Sequence, residues 1–105
     1  MIRVVIDTNI LVSAVMNRHG PSAQVFGLIL AGLILPCVTD AVLREYHGTL
    51  NISSHEPDNR FYECADAGKA DYIVTGNTRH FKKPHKTTKI VTARQLLDIV
   101  AAGKR

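Results

Sequence analysis

The sequence predicts an α/β fold, a three-layer α/β/α sandwich in which helices cover both faces of a mostly parallel sheet. Short runs of β-forming residues alternate with longer helical segments, and this alternation is typical of parallel strands joined by crossover helices. Polar residues directly follow two of the apolar runs, where α/β folds place their functional groups. A length of 105 residues is enough for one core with little to spare, so we expect a single compact domain over residues 1–105.

The first part of the chain predicts two strands and two helices. Ile2–Ile6 is an almost continuous apolar run, and the helical spacing of apolar residues begins after Asp7. Proline suits the first turn of a helix and glycine its carboxyl-terminal end, which places a second helix over Pro21–Ala31, closed by Gly32. Leu33–Val38 is the second predicted strand. Because this helix and this strand are rich in apolar residues, we expect both to be buried.

The remainder of the chain continues the alternation with three helices and two strands. Side chains that favour β-structure predict the strands. Thr92 and Gln95 have the spacing of a capping box, which opens the last helix. In chain order the predicted elements are a helix over Ala41–Leu50, a helix over Asp58–Gly68, a strand over Asp71–Thr75, a strand over Lys89–Val91 and a helix over Ala93–Ala102.

Composition limits the class of protein. The formal net charge of +4 weakly favours an anionic partner. Pro21–Thr39 contains no charged residue, but Gly32 and Pro36 divide it, so we do not expect the single helix of about 20 residues that crosses a membrane. Cys37 and Cys64 lie in apolar stretches without a CxxC motif. We interpret them as reduced, buried thiols of a cytoplasmic protein.

Three acidic residues and one amide are expected to meet at one edge of the sheet. Asp7 and Asn77 directly follow predicted strands. Glu45 lies about one turn beyond the start of its helix, and Asp58 begins the next helix. The carboxyl ends of parallel strands lie at the same edge as the amino ends of the helices that follow them. We therefore expect the three carboxylates to converge there, with the amide beside them.

Such a cluster of carboxylates predicts a metal site. Like charges close together are unfavourable unless a cation neutralises them. Ligands that are all oxygen select a hard ion, Mg²⁺ or Mn²⁺, and the absence of His or Cys among the inferred ligands disfavours zinc. An ion held by carboxylates with open positions suits the hydrolysis of phosphodiester bonds.

Four stretches of the chain resemble the successive motifs of PIN-domain ribonucleases, most closely the branch described as toxins of toxin–antitoxin pairs. The resemblance runs from Ile2 to about Leu97, and the first and last stretches are fairly specific as a pair. It implies a metal-dependent endoribonuclease acting on single-stranded RNA, built on a Rossmann-like sheet. The four stretches are Val5–Asn9, Glu45–Tyr46, Pro57–Phe61 and Ala70–Asn77.

The resemblance also implies roles for individual residues. Asp7, Glu45 and Asp58 would be the metal ligands. Asn77 would take the place of a fourth acid, where an amide keeps an acceptor oxygen but removes a negative charge. A toxin would have an antitoxin protein as partner, blocking the acidic edge. The residues that would orient the ligands or a metal-bound water are Thr8, Asn9 and Thr75.

The middle of the chain is shorter than in the family that it resembles. Glu45 and Asp58 are 13 positions apart, where relatives carry an additional helical segment. Seven extended residues after the third helix reach at most about 23–25 Å, so the two carboxylates can still meet, with little slack. The missing segment would leave apolar surface uncovered. We therefore expect a homodimer, with an exchange of elements as one arrangement.

A basic run follows Asn77 and leaves from the same edge of the sheet. Cationic side chains there would contact the phosphates of RNA and make binding depend on salt. A solvated connector is the alternative interpretation of this run. The side chains expected to contact RNA are Arg79, Lys82, Lys83 and Lys86.

Other functions stay open. A degenerate PIN-like domain that binds RNA or a protein without catalysis is the main alternative, because Asn77 and the shortened middle both favour it. A DNA nuclease is a third candidate, since nothing in the sequence recognises a 2′-hydroxyl. A dinucleotide-binding function is disfavoured, because the chain has neither a GxGxxG motif nor a P-loop.

Overall fold

The computed structural model describes residues 1–38, 42, 59–76 and 88–103, with residues 59–63 described by their backbone alone. The predicted boundaries within these ranges are confirmed to within one or two residues, whereas the helix predicted over Ala41–Leu50 lies outside them apart from Val42. The elements are β1 (Ile2–Ile6), α1 (Thr8–Met16), α2 (Pro21–Leu30), β2 (Ile34–Pro36), α3 (Asn59–Gly68), β3 (Tyr72–Val74), β4 (Lys89–Val91) and α4 (Ala93–Ala101).

The four strands form one parallel sheet in the order β2–β1–β3–β4. β1 and β3 are the two central strands, and their last residues, Ile6 and Val74, are partners in the register. The residues that directly follow them, Asp7 and Thr75, therefore leave the sheet side by side.

The side chains of the strands alternate between two hydrophobic cores, one on each face of the sheet. One core includes Val4 together with Val25 of α2 and Leu96 of α4. The other includes Val5 together with Cys64 of α3. Helices therefore cover both faces, and the predicted three-layer α/β/α architecture is confirmed.

Local signals fix the helix ends as the sequence predicts. Pro21 is the first residue of α2. Gly32 follows that helix with φ +77°, a left-handed conformation in which glycine has no Cβ to clash, and its N–H donates to the carbonyl of Ile29 at 3.0 Å. Thr92 and Gln95 form the predicted capping box of α4.

The end of α3 differs from the prediction in one respect. Gly68 is the last residue of the helix, but the left-handed residue that closes it is Lys69, with φ +51°. Glycine is needed at 68 because a Cβ there would lie 2.7 Å from the Sγ of Cys37. The helix thus packs closely against the segment after β2. The left-handed conformation is adopted by Lys69, although a lysine favours this conformation less than a glycine does.

The prediction that Pro21–Ala31 and Leu33–Val38 are buried is wrong for most of their residues. β2 lies at an edge of the sheet, where Ile34 is buried while Leu35 is 44 % exposed, and Leu30 at the end of α2 is 88 % exposed. The absence of charge in this part of the chain therefore gives an apolar surface as well as core. Within the described residues, no helix is long and apolar enough to cross a bilayer.

Pro36 fits the edge position of β2. The N–H of Cys37, the next residue, donates to the carbonyl of Val4 in β1 at 2.8 Å. Neighbouring residues of a strand direct their amides to opposite sides, so an N–H at Pro36 would point away from β1. Proline therefore costs the sheet no hydrogen bond, and it leaves the outer side with one donor fewer for edge-to-edge pairing.

Cys37 and Cys64 form no disulfide, as predicted; Cys64 is buried as expected, whereas Cys37 is only half-buried. The thiol of Cys64 donates to the carbonyl of Cys37 at 3.2 Å, which joins α3 to the end of β2. Burial raises the pKa of the Cys37 thiol above its ordinary value, while the Arg3 guanidinium opposes this shift and the Asp71 carboxylate adds to it.

Candidate functional site

Asp7 lies at the carboxyl end of β1, at the edge of the sheet where the sequence predicts the site. Its N–H donates to the carbonyl of Val74, the last residue of β3, at 2.8 Å, so the two central strands fix its backbone. It has an extended conformation and α1 begins at the next residue. Only 6 % of the residue is exposed. A carboxylate so buried requires a hydrogen-bond partner or a cation.

Thr75 provides one such partner. It follows β3 directly, is fully buried, and donates its N–H to the carbonyl of Val91 at 2.9 Å. Its hydroxyl donates to Oδ2 of Asp7 at 2.6 Å. A bond this short to a charged acceptor is of the strong, charge-assisted kind. Thr75 therefore fixes the orientation of the Asp7 carboxylate.

The second oxygen of the carboxylate has no partner in the described part of the chain. Oδ1 of Asp7 accepts no hydrogen bond from any described residue, since the Thr75 bond is made to Oδ2. Although Asp7 is at the N-cap position of α1, its side chain makes no capping bond to that helix. Among the described residues the carboxylate is thus held at one oxygen only, which is compatible with a role as a metal ligand.

Thr8 adds an unusual feature beside Asp7. It is 5 % exposed, and its hydroxyl oxygen is buried without a hydrogen-bond partner in the part of the chain that the structure describes. Buried hydroxyls are normally paired, and leaving one unpaired is unfavourable. Asn9, the third residue of the first motif, is exposed. Of the three supporting residues predicted, Thr8 and Thr75 are buried at the site and Asn9 is at the surface.

The other predicted site residues lie outside the described residues. These are Glu45, Asp58 and Asn77, together with the basic residues Arg79, Lys82, Lys83 and Lys86. No group of three or more His, Cys, Asp or Glu side chains suited to a metal occurs within the described ranges. The convergence of three carboxylates at this edge therefore stays a prediction.

Asp71 shows that the opposite end of the same sheet has a different character. It precedes β3, and its carboxylate accepts the N–H of Arg3 at 2.9 Å, while its own N–H donates to the carbonyl of Arg3 at 2.8 Å. These bonds place it a strand length away from Asp7, in agreement with the expectation that it lies at the wrong end for the site.

The described part of the site fits a hard divalent cation. The Asp7 oxygen that accepts no hydrogen bond from a described residue is a hard donor at this edge, as Mg²⁺ and Mn²⁺ prefer. Reasoning from individual residues predicts Asp7, whereas the family resemblance predicts Thr75. Thr75 directly follows β3, and it lies beside Asp7 because β3 is the neighbour of β1 in the sheet. A local pattern in the sequence does not show this strand order.

Comparison with known families gives a match over the first part of the chain. Residues 3–57, just over half of the chain, match a family model described as PIN domain. This range includes Asp7 and Glu45 and ends before Asp58, so it covers only the first part of the resemblance noted in the sequence. No curated protein and no solved structure matches the chain.

Proposed function

Because the chain belongs to the PIN-domain family, which has a nuclease-type fold, we propose that it is a metal-dependent endoribonuclease. The substrate would be single-stranded RNA and the ion Mg²⁺ or Mn²⁺. The observation that carries the proposal is Asp7, a carboxylate that is only 6 % exposed at a central strand end. One of its oxygens is held by Thr75 and the other accepts no bond from a described residue. A role in apolar packing does not account for such a group.

The chain's own residues would bind the ion and position it. Asp7, Glu45 and Asp58 are the proposed ligands, with Asn77 offering a neutral oxygen beside them. A bound ion would lower the pKa of a water molecule and stabilise negative charge on the transferring phosphate. The buried Thr75 hydroxyl would act through Asp7, by keeping one oxygen engaged and the other directed to the ion.

RNA would be held by phosphate contacts. The basic run that contains Arg79, Lys82, Lys83 and Lys86 follows Asn77 directly in the sequence. Its charges would attract the backbone of single-stranded RNA to the acidic edge, with an affinity that falls as salt increases.

We further propose that the protein is the toxin of a toxin–antitoxin pair. In this role a partner protein would cover the Asp7 edge and block access of RNA. Three exposed apolar residues support the proposal of self-association as a homodimer: Leu30 at the end of α2, Leu33 just before β2 and Leu35 in β2.

The test is a cleavage assay with a matched control at the opposite end of the sheet. Single-stranded RNA and DNA are incubated with the protein in Mg²⁺, Mn²⁺ or EDTA, beside the variants Asp7→Asn and Asp71→Asn. We expect cutting of RNA that EDTA and Asp7→Asn both abolish, a loss of at least about 100-fold. Asp71→Asn removes the same charge from the other end and should cut like the parent.

Each other outcome has a definite meaning. Binding of RNA without cutting would favour the degenerate domain over the enzyme. Preferential cutting of DNA would show that the substrate is DNA, not RNA. Cutting that persists in Asp7→Asn would show that the activity does not come from this edge, and the proposal would then be wrong.

A further inference from the structure

The amino end of α1 has more hydrogen-bond donors than the described residues provide acceptors for. A helix leaves four amides at its amino end without partners inside the helix. In α1 the N–H of Asp7 donates to Val74, and that of Ile10 donates to the Asp7 carbonyl at 2.9 Å. The remaining two, on Thr8 and Asn9, have no partner among the described residues, because the Asp7 side chain does not cap the helix.

The Thr8 hydroxyl is a third unused donor at the same place. Thr8 is the first residue of α1, and side chains on a helix lean toward its amino end. The hydroxyl is buried and has no partner within the described ranges, in a residue that is 5 % exposed. By contrast the buried hydroxyl of Thr88 donates to the carbonyl of Ala70 at 2.7 Å. The buried hydroxyl of Thr8 therefore differs from that of Thr88, since it makes no hydrogen bond to a described residue.

We propose that the amino end of α1 binds a phosphate oxygen of the substrate, with the Thr8 hydroxyl and the amides of Thr8 and Asn9 as donors. The inference rests on the proposed function and gives Thr8 a substrate-positioning role. Helix amino ends attract phosphate through their free amides and positive partial charge. One non-bridging oxygen of a phosphodiester can meet these donors while another faces the ion that Asp7 would hold.

The neighbouring carboxylate makes this binding conditional. Without a cation, Asp7 repels a phosphate at the end of α1. With the ion in place that repulsion is neutralised, so the phosphate and the metal should each raise the affinity for the other. This coupling separates a phosphate-binding role of Thr8 from a role in holding the metal or its water.

The proposal also predicts an unusual pair of effects for Thr8→Val, which removes the hydroxyl and keeps the shape. In metal-free and phosphate-free protein the substitution removes an unpaired buried polar group, so the Tm should rise, by about 4–8 °C. In Mg²⁺-loaded protein the affinity for inorganic phosphate should fall about tenfold, since a hydrogen bond to a charged ligand is lost. A purely structural hydroxyl would give a lower Tm and an unchanged affinity.

The experiment compares Thr8→Val, Thr8→Ser and Thr88→Val with the parent protein. Isothermal titration measures Mg²⁺ affinity without phosphate and inorganic phosphate affinity with Mg²⁺. Fluorescence anisotropy measures binding of a labelled single-stranded RNA in Ca²⁺, with intact RNA verified on a gel. We expect Thr8→Ser to resemble the parent in every measurement. Thr88→Val, which breaks a made bond, should lower the Tm and leave the phosphate affinity unchanged.

The outcomes are distinct. Unchanged phosphate affinity in Thr8→Val, or a lower Tm, would overturn the inference. So would a loss of Mg²⁺ affinity without phosphate, which would make Thr8 part of the metal site. Weaker binding of inorganic phosphate with unchanged RNA affinity would overturn the assignment to a phosphodiester and leave free phosphate as the ligand. If phosphate and RNA binding depend on Thr8 but no RNA is cut, the anion site stands and the proposed nuclease fails.

Discussion

Replacing Thr75 with valine should both destabilise the protein and weaken its metal site. The substitution keeps the shape of the side chain and removes the hydroxyl that donates to Oδ2 of Asp7 at 2.6 Å. Because Thr75 is fully buried, water cannot replace the lost donor. A hydrogen bond to a charged group contributes about 1.5–3 kcal/mol. We therefore expect the free energy of unfolding to fall by about 2 kcal/mol.

Urea denaturation in EDTA measures this change, and Thr75→Ser is its matched control. With a slope of about 1–3 kcal/mol per molar, a loss of 2 kcal/mol lowers the midpoint by roughly 1 M. Serine keeps the hydroxyl and loses one buried methyl group, which costs about 1 kcal/mol. The order of stability should thus be parent, serine, valine.

Metal binding and a double-mutant cycle separate the Asp7 bond from general packing. Positioning groups around a metal ligand typically change affinity by about 10–100-fold, so Thr75→Val should bind Mn²⁺ at least tenfold more weakly while Thr75→Ser stays close to the parent. In the Asp7→Asn background the cost of Thr75→Val should shrink, because the acceptor is no longer charged. A valine variant as stable as the parent, or no worse than serine in metal affinity, would refute this reasoning.

Three further predictions concern the packing around Cys37. Gly68→Ala should destabilise by about 1–3 kcal/mol in urea titration, because the new Cβ would lie 2.7 Å from the Sγ of Cys37 and 2.9 Å from its Cβ; a neutral result would show that the contact relaxes freely. Lys69→Gly should stabilise by about 0.5–1 kcal/mol, since Lys69 has φ +51°, and a loss of stability would contradict that explanation. Since burial raises the pKa of the Cys37 thiol, the unfolded chain loses this proton first as pH rises. Stability should then decrease through the alkaline range above the ordinary thiol pKa, and Cys37→Ala should weaken that decrease.

The features that sequence predicts well are those with local causes. The capping box of Thr92 and Gln95, the proline that begins α2 and the strand Lys89–Val91 all depend on neighbouring residues, and all are confirmed. Asp7 was identified because a carboxylate that directly follows a buried apolar strand is rare without a function.

The features that local sequence patterns do not predict depend on contacts between distant parts of the chain. The apolar run Leu33–Val38 predicts a buried strand. Most of it is exposed because β2 lies at the edge of the sheet. The bond between Thr75 and Asp7 joins residues 68 positions apart, and it is the family resemblance, not a local pattern, that predicts a supporting role for Thr75. Gly68 lies against the Sγ of Cys37, 31 positions away, and the left-handed residue that follows it is Lys69. A pattern of residues that are close in sequence does not predict these contacts.

The most direct test of the account is the location of a divalent ion in a crystal of the protein soaked with Mn²⁺, from its anomalous scattering. We expect a single strong peak at the carboxyl ends of β1 and β3, about 2.2 Å from Oδ1 of Asp7 and within coordination distance of the carboxylates of Glu45 and Asp58. An ion bound elsewhere, or carboxylates of Glu45 and Asp58 that cannot reach the ion at Asp7 within one subunit or across two, would contradict the central claim.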